Sequence, residues 1–236
     1  MSEKPILFSG EMVRAILDGR KSETRRVIRH RENRWEIMED DDGSLWPYWP
    51  CYVYAEPEPI RMECPYGEAG DTLWVRETWA VAYEYEPGSL NVLRASNDEY
   101  AENCKRVLYR ATDTIPDDVA LKWRPSIHMP RWASRISLLM KEVRVERLHE
   151  ITEEGAKAEG IYLQSVNVAP PIHTDIRYVA PGVEMTRSDG EKSTHAPAHY
   201  TAVEAFHCLW DSINAKRGFP WESNPWVWTV KFEVKQ

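Results

Sequence analysis

The sequence predicts a mixed α/β protein, mainly β, built as a compact barrel with helices at its ends and two long insertions. Three observations carry this. Several short segments alternate apolar and polar residues, and the segment from Trp226 is the cleanest. Amphipathic helical stretches are few. Two runs, at about 29–62 and 162–199, are rich in loop-forming residues and interrupt the pattern. With 236 residues the chain is long enough to bury a core as a single domain.

Taken in order, Pro5 to Phe8 reads as a strand and Glu11 to Asp18 as an amphipathic helix with Met12, Val13, Ile16 and Leu17 on one face. Ser9 suits its N-cap, and Gly19 suits a left-handed C-terminal position. Thr24 to Ile28 re-enters a strand. In the first insertion, Trp46-Pro47-Tyr48-Trp49-Pro50 is too proline-rich for a helix or a central strand. Either a binding loop or packing against the body accounts for its aromatics. Asp71 to Trp79 reads as a strand with Leu73, Val75 and Glu77 on one face. Residues 83–104 read as loop, and Arg106 to Ala111 as a strand. Arg135 to Leu148 reads as a long strand whose apolar parity switches near Lys141 and Glu142, which predicts a bulge. Glu153 to Glu159 reads as a short helix capped by Thr152. Thr201 to Ala215 reads as a longer one, opened by the capping box Thr201-x-x-Glu204. Trp226, Trp228, Val230, Phe232 and Val234 form one face of the last strand.

Net charge is −8, distributed as +4 over residues 1–34, −12 over 35–105, +4 over 106–149 and −4 over 150–236. An acidic whole argues against a protein that coats long nucleic acid, because that affinity comes mainly from neutralised phosphates. Two basic segments can still meet around one small polar or anionic ligand. No apolar run approaches a membrane span, and the N-terminal residues lack a secretory pattern, so a cytoplasmic protein with no membrane partner is expected. The four cysteines form no CxxC pair and read as free thiols; a zinc site from Cys51, Cys64 and Cys104 has little support in their spacing. His195 and His199 have i, i+4 spacing, but Pro197 disfavours a shared helix. No metal and no cofactor are expected.

The densest chemical signal is Gly19-Arg20-Lys21-Ser22-Glu23-Thr24-Arg25-Arg26. Spacing alone reads as a solvated basic loop after a helix. The chemical reading has Lys21 and Thr24 meet. A Thr hydroxyl becomes a nucleophile when a base takes its proton, and a lysine made neutral by burial or by neighbouring cations is such a base. Arg20, Arg25 and Arg26 supply the cations. Glu77 is a second candidate, since a carboxylate on an inward face needs a partner: substrate, Arg131 or Arg26. His128-Met129-Pro130-Arg131-Trp132 combines a titratable ring, a fork-shaped donor and an aromatic face, which suits a pyrimidine base. The same residues equally make a turn before a strand, with Trp132 in the core.

Gly19-x-Lys21-x-x-Thr24-x-Arg26 resembles the signature of ASCH domains, a branch of the PUA-like β-barrel family associated with RNA and modified nucleosides. The common form has Glu at the position of Thr24. The Thr form is similar to that of bacterial N4-acetylcytidine amidohydrolases, in which the matching Lys and Thr act with a Glu from a later helix. Ile151 to Glu159 resembles that helix, which implies Glu159 as the third member. Leu73 to Trp79 and Arg124 to Arg135 resemble prophage-encoded ASCH proteins. The likeness covers residues 4–28, 65–80, 106–160 and 200–235, and the two insertions have no counterpart in the small amidohydrolases.

The resemblance implies a hydrolase that takes N4-acetylcytidine to cytidine and acetate. Lys21, Thr24 and Glu159 are then catalytic, and Arg26, Glu77, His128 and Arg131 bind substrate. The expected partner is an acylated nucleoside or nucleotide. Two other readings stay open: a non-catalytic PUA-like module that binds RNA or a modified nucleotide, and an ASCH-type ribonuclease.

Overall fold

Ser9 and Gly19 delimit the first helix as their chemistry predicts. Ser9 Oγ accepts from Met12 N at 3.4 Å, and Gly19 takes the left-handed conformation at φ 72°. The computed structural model describes residues 2–29, 35–50, 59–86, 89–91, 106–115, 121–168, 173–183 and 198–235. In chain order its first elements are β1 (Glu3–Leu7), α1 (Gly10–Leu17), β2 (Glu23–Val27), β3 (Glu36–Glu39), β4 (Leu45–Pro50) and β5 (Pro59–Arg61). Next come β6 (Thr72–Arg76), β7 (Trp79–Glu86), β8 (Ser89–Asn91), β9 (Arg106–Tyr109) and β10 (Ser137–Arg147). They are followed by α2 (Glu153–Ala158), β11 (Tyr162–Val168), β12 (His173–Val179), β13 (Ala198–His199), α3 (Ala202–Asn214) and β14 (Trp226–Val234).

The main sheet has five strands in the order β1-β6-β10-β14-β2. β1 and β6 are parallel and the other pairs antiparallel. One face buries Ile6, Leu73, Val75, Leu138, Trp228, Val230 and Phe232 beneath Val13 and Ile16 of α1. The register of β10 against β14 shifts between Met140 and Glu142, at the predicted parity switch. Past that bulge Val145 joins the core, and Glu142, Arg144 and Glu146 share the opposite face.

No closed barrel is seen among the described residues. Among the described residues the sheet is open, with β1 and β2 as its edges and no ladder between them. The edges do come within side-chain reach, since Arg26 Nη2 donates to Leu7 O at 2.9 Å. The class, mixed α/β and mainly strand, is as predicted.

The two insertions and the segment after β6 are more regular than their composition suggests. Each contributes to a three-stranded sheet: β3-β4-β5, β8-β7-β9 and β11-β12-β13. β4 is central in its sheet despite Pro47 and Pro50, against the sequence expectation. The Pro47 ring removes one ladder donor, but its carbonyl still accepts from Met62 N at 2.8 Å. Trp46 packs on Trp228 of the main sheet at 5.4 Å between ring centroids, so aromatics of this insertion do pack against the body. β7 and β8 occupy part of the stretch read as loop; the rest of it, 87–88 and 92–104, lies outside the described residues. No helix of the described residues is long and apolar enough to cross a membrane.

The capping box at α3 is formed: Thr201 Oγ1 accepts from Glu204 N at 3.1 Å, and Glu204 Oε2 accepts from Thr201 N at 3.3 Å. Thr201→Ala removes the hydroxyl acceptor and is expected to cost about 1 kcal/mol, read as a lower urea midpoint, whereas Thr201→Ser retains most of the stability.

Candidate active site

The turn after α1 sets the first residue of the site. Arg20 N and Lys21 N both donate back to Ala15 O, at 2.8 and 3.0 Å, which folds the chain under the helix end. The short helix α2 arrives from the other side. Thr152 Oγ1 caps its start by accepting from Gly155 N at 3.0 Å, and Glu159 is its C-terminal cap. Gly160 follows at φ 100°, where a Cβ would stand 3.2 Å from Ala15 Cβ, so glycine allows the two segments to approach. Ser22 N then donates to Ala158 O at 2.8 Å, and Lys21 and Glu159 form an isolated antiparallel bridge.

This brings two charged side chains together out of water. Lys21 Nζ lies 2.5 Å from Glu159 Oε2 and also donates to Glu159 O at 2.9 Å and Glu23 O at 2.8 Å. Glu159 Oε1 accepts from Arg25 N at 2.6 Å and lies 3.5 Å from Arg25 Nη1. Lys21, Thr24 and Glu159 are each 4% exposed. Burial pushes the Lys21 amine below the usual lysine range; Glu159 opposes that shift, and the Arg26 and Arg25 guanidinium groups reinforce it.

Behind the pair lies a second ionic cluster. Buried Arg25 reaches Glu146 at 2.8 Å and Glu23 at 3.4 Å. Arg144 reaches Glu146 at 3.0 Å and Glu23 at 3.4 Å, and Thr229 Oγ1 donates to Glu146 Oε1 at 2.8 Å. Burial raises the Glu146 carboxyl, but Arg25, Thr229 and Arg144 outweigh it and hold the group below its ordinary range. Thr229 is fully buried because its face of β14 covers this cluster.

Lys21, Thr24, Arg26 and Glu159 line one cleft of about 790 Å³. It opens between the free edges of β1 and β2 and is walled by Phe8, Tyr66, Phe206 and Trp210. The structure therefore brings together the three residues expected to be catalytic and one expected to bind substrate. Arg26 lies over the Phe8 ring at 5.3 Å, and its Nε is buried with no hydrogen-bond partner among the described residues.

Glu77, His128 and Arg131 do not line this cleft. Glu77 is buried, as its inward face predicted, but its partner is Arg135 rather than Arg131 or Arg26, with Nε and Nη2 at 2.9 and 3.1 Å. Burial raises the Glu77 carboxyl and Arg135 opposes it. Arg131 is exposed and pairs with Glu3 at 3.0 Å. His128 is exposed in the 3-10 turn Ser126–His128. Trp132 is 54% exposed and meets Trp79 edge-on, so it is not a core residue.

Sequence reasoning passed over Glu146 and Arg144. The available signal was the polar set Glu142, Arg144, Glu146 that follows the parity switch in β10. It also gave no weight to Arg29, Arg217, Phe206 and Trp210 as cleft residues. Their strand and helix are separated in sequence and meet only in the fold.

Among the described residues one group has metal-ligand geometry: His207, Asp211 and Glu222, whose ligand atoms lie within 4.8 Å of one another. His207 Nε2 is 3.1 Å from Asp211 and 4.0 Å from Glu222. Cys51, Cys104 and His195 lie outside the described residues. Cys64 is a buried free thiol, pushed up to about 11 by burial.

No family model, no curated protein and no solved structure matches this chain. The geometry of the cleft therefore carries the functional argument.

Glu159→Ala leaves a buried ammonium without its counter-ion and is expected to destabilise the fold by about 3–5 kcal/mol. Lys21→Met combined with Glu159→Leu, which removes both charges, is expected to recover most of that loss in chemical denaturation. The pH dependence follows from the lowered Lys21 amine. The unfolded chain binds more protons there than the folded one, so this group's contribution to stability rises as pH climbs toward the ordinary lysine value of 10.5. Denaturation at several pH values checks this: the rise is present in the parent protein and absent in Lys21→Met.

Proposed function

We propose that the protein is an amidohydrolase that removes an acyl group from a modified nucleobase. The simplest substrate is N4-acetylcytidine, and the products are cytidine and acetate. One observation carries the reading: the buried Lys21–Glu159 contact of 2.5 Å lies in the wall of a cleft that Thr24 also lines. The aromatic side chains of the cleft suit a pyrimidine ring. The likeness to PUA-like ASCH domains belongs to this proposal.

Lys21 donates to three oxygens, as an ammonium does, so it becomes a base by passing one proton to Glu159 across their contact. Burial, which penalises the charge on the amine, favours that transfer. Thr24 Oγ1 then attacks the acetyl carbonyl carbon and its proton goes to Lys21. Collapse of the tetrahedral adduct breaks the C–N bond. The exocyclic nitrogen takes the proton held by Glu159, and cytidine leaves. Water next attacks the Thr24 acetyl ester and gives a proton to Glu159. Thr24 Oγ1 recovers its own from Lys21, acetic acid departs, and return of the Glu159 proton to Lys21 restores the starting ion pair. Glu77, His128 and Arg131 take no part in this scheme.

The test is acetate release from N4-acetylcytidine by the full chain. Thr24→Ala, Lys21→Ala and Glu159→Ala are each expected to lower kcat/KM by about 100-fold or more, with folding checked by circular dichroism. Parent protein that releases no acetate, or variants that match it, would refute the triad.

A further inference from the structure

The cleft lining contains five cationic side chains, Lys21, Arg25, Arg26, Arg29 and Arg217, and a single carboxylate, Glu159. This excess of positive charge sits in a chain of net charge −8. Two of the cations are balanced. Lys21 faces Glu159, and Arg25 faces Glu159, Glu146 and Glu23. The other three meet no carboxylate within ion-pair distance among the described residues. Arg26 has the orphaned Nε described above.

The two rim arginines are exposed and meet no carboxylate among the described residues. Arg29 follows β2 and lies over the Phe219 ring at 4.7 Å. Phe219 is itself fixed to α3, because its N–H donates to Asn214 O at 3.2 Å and its carbonyl accepts from Trp210 Nε1 at 2.9 Å. Arg217 ends the 3-10 turn Ala215–Arg217 that continues the same helix. Guanidinium groups clustered without counter-ions repel one another, and their fork geometry matches phosphate oxygens.

We propose that the substrate carries a phosphate: it is a nucleoside monophosphate bearing the acylated base, with the phosphate held by Arg26, Arg29 and Arg217. This rests on the amidohydrolase reading for the identity of the base. A volume near 790 Å³ lies within the range of small-ligand sites and accommodates a mononucleotide. A mononucleotide is favoured over a longer RNA because the acidic remainder of the chain repels an extended polyanion.

The experiment measures binding and turnover separately on the full chain. By calorimetry, cytidine 5′-monophosphate is expected to bind at least about 10-fold tighter than cytidine, with an advantage that shrinks as salt rises. The double variant Arg29→Gln, Arg217→Gln loses that advantage while binding cytidine as the parent does. Lys216→Gln, a neighbouring charge outside the cleft lining, keeps it. In turnover, kcat/KM for the N4-acetylated monophosphate exceeds that for N4-acetylcytidine in the parent and equals it in the double variant. Equal binding of the two cytidine ligands, or of neither, overturns the proposal. So does a cytidine oligoribonucleotide that binds far more tightly than the monophosphate. Tighter monophosphate binding, abolished in the double variant but without acetate release from either substrate, sinks the amidohydrolase reading and supports the phosphate site.

Discussion

A lysine and a glutamate separated by 138 residues in sequence form one hydrogen-bonded ion pair away from water, and the architecture of the cleft depends on it. Each charge would be strongly unfavourable alone in that place. Together they are tolerated because every donor of the amine has an acceptor and both oxygens of the carboxylate have donors. The pair also ties the end of α2 to the start of β2, so Thr24 and Arg26 stand on a strand whose position relative to α2 is fixed. Gly160 permits that approach, and Ala15 is the surface it approaches.

The Arg25 cluster behind the pair extends this constraint into the sheet. Arg25 bonds carboxylates from three elements: Glu23 in its own strand, Glu146 in β10 and Glu159 at the end of α2. Buried guanidinium groups suit such a junction because their donors point in several fixed directions. A polar layer thus lies on the face of β14 opposite the apolar core, and both faces of its central stretch are buried. The cleft lies between β1 and β2, the edges of the main sheet among the described residues, so its walls combine strand edges with the flank of α3.

Charge is divided between two environments. Inside, cations and carboxylates alternate closely enough to neutralise one another. At the mouth, arginines face the open space without carboxylates among the described residues, although acids outnumber bases across the chain as a whole. Sequence totals conceal this, because an average over 236 residues does not report where a minority of cations gather.

Much of the secondary structure was legible because its causes are local. Ser9, Thr152 and Thr201 cap helices through atoms three residues away, and the parity switch near Lys141 marks a bulge because side chains alternate strictly along a strand. A meeting of Lys21 and Thr24 was legible as local chemistry, although spacing alone read as a solvated loop, and Glu159 was legible only through a family resemblance. Three features escaped a local reading. The strands within the insertions depend on pairing with one another, which allowed Pro47 to sit in a central strand. Closure of the main sheet depends on whether β1 meets β2, and among the described residues it is open there. The partner of Glu77 is Arg135, 58 residues away, rather than Arg131 or Arg26, the arginines the sequence reading named. Periodicity and capping act over three or four residues and can be read along the chain. Which distant charge answers another, and where a sheet stays open, follow from the global packing that brings remote segments within a few ångströms.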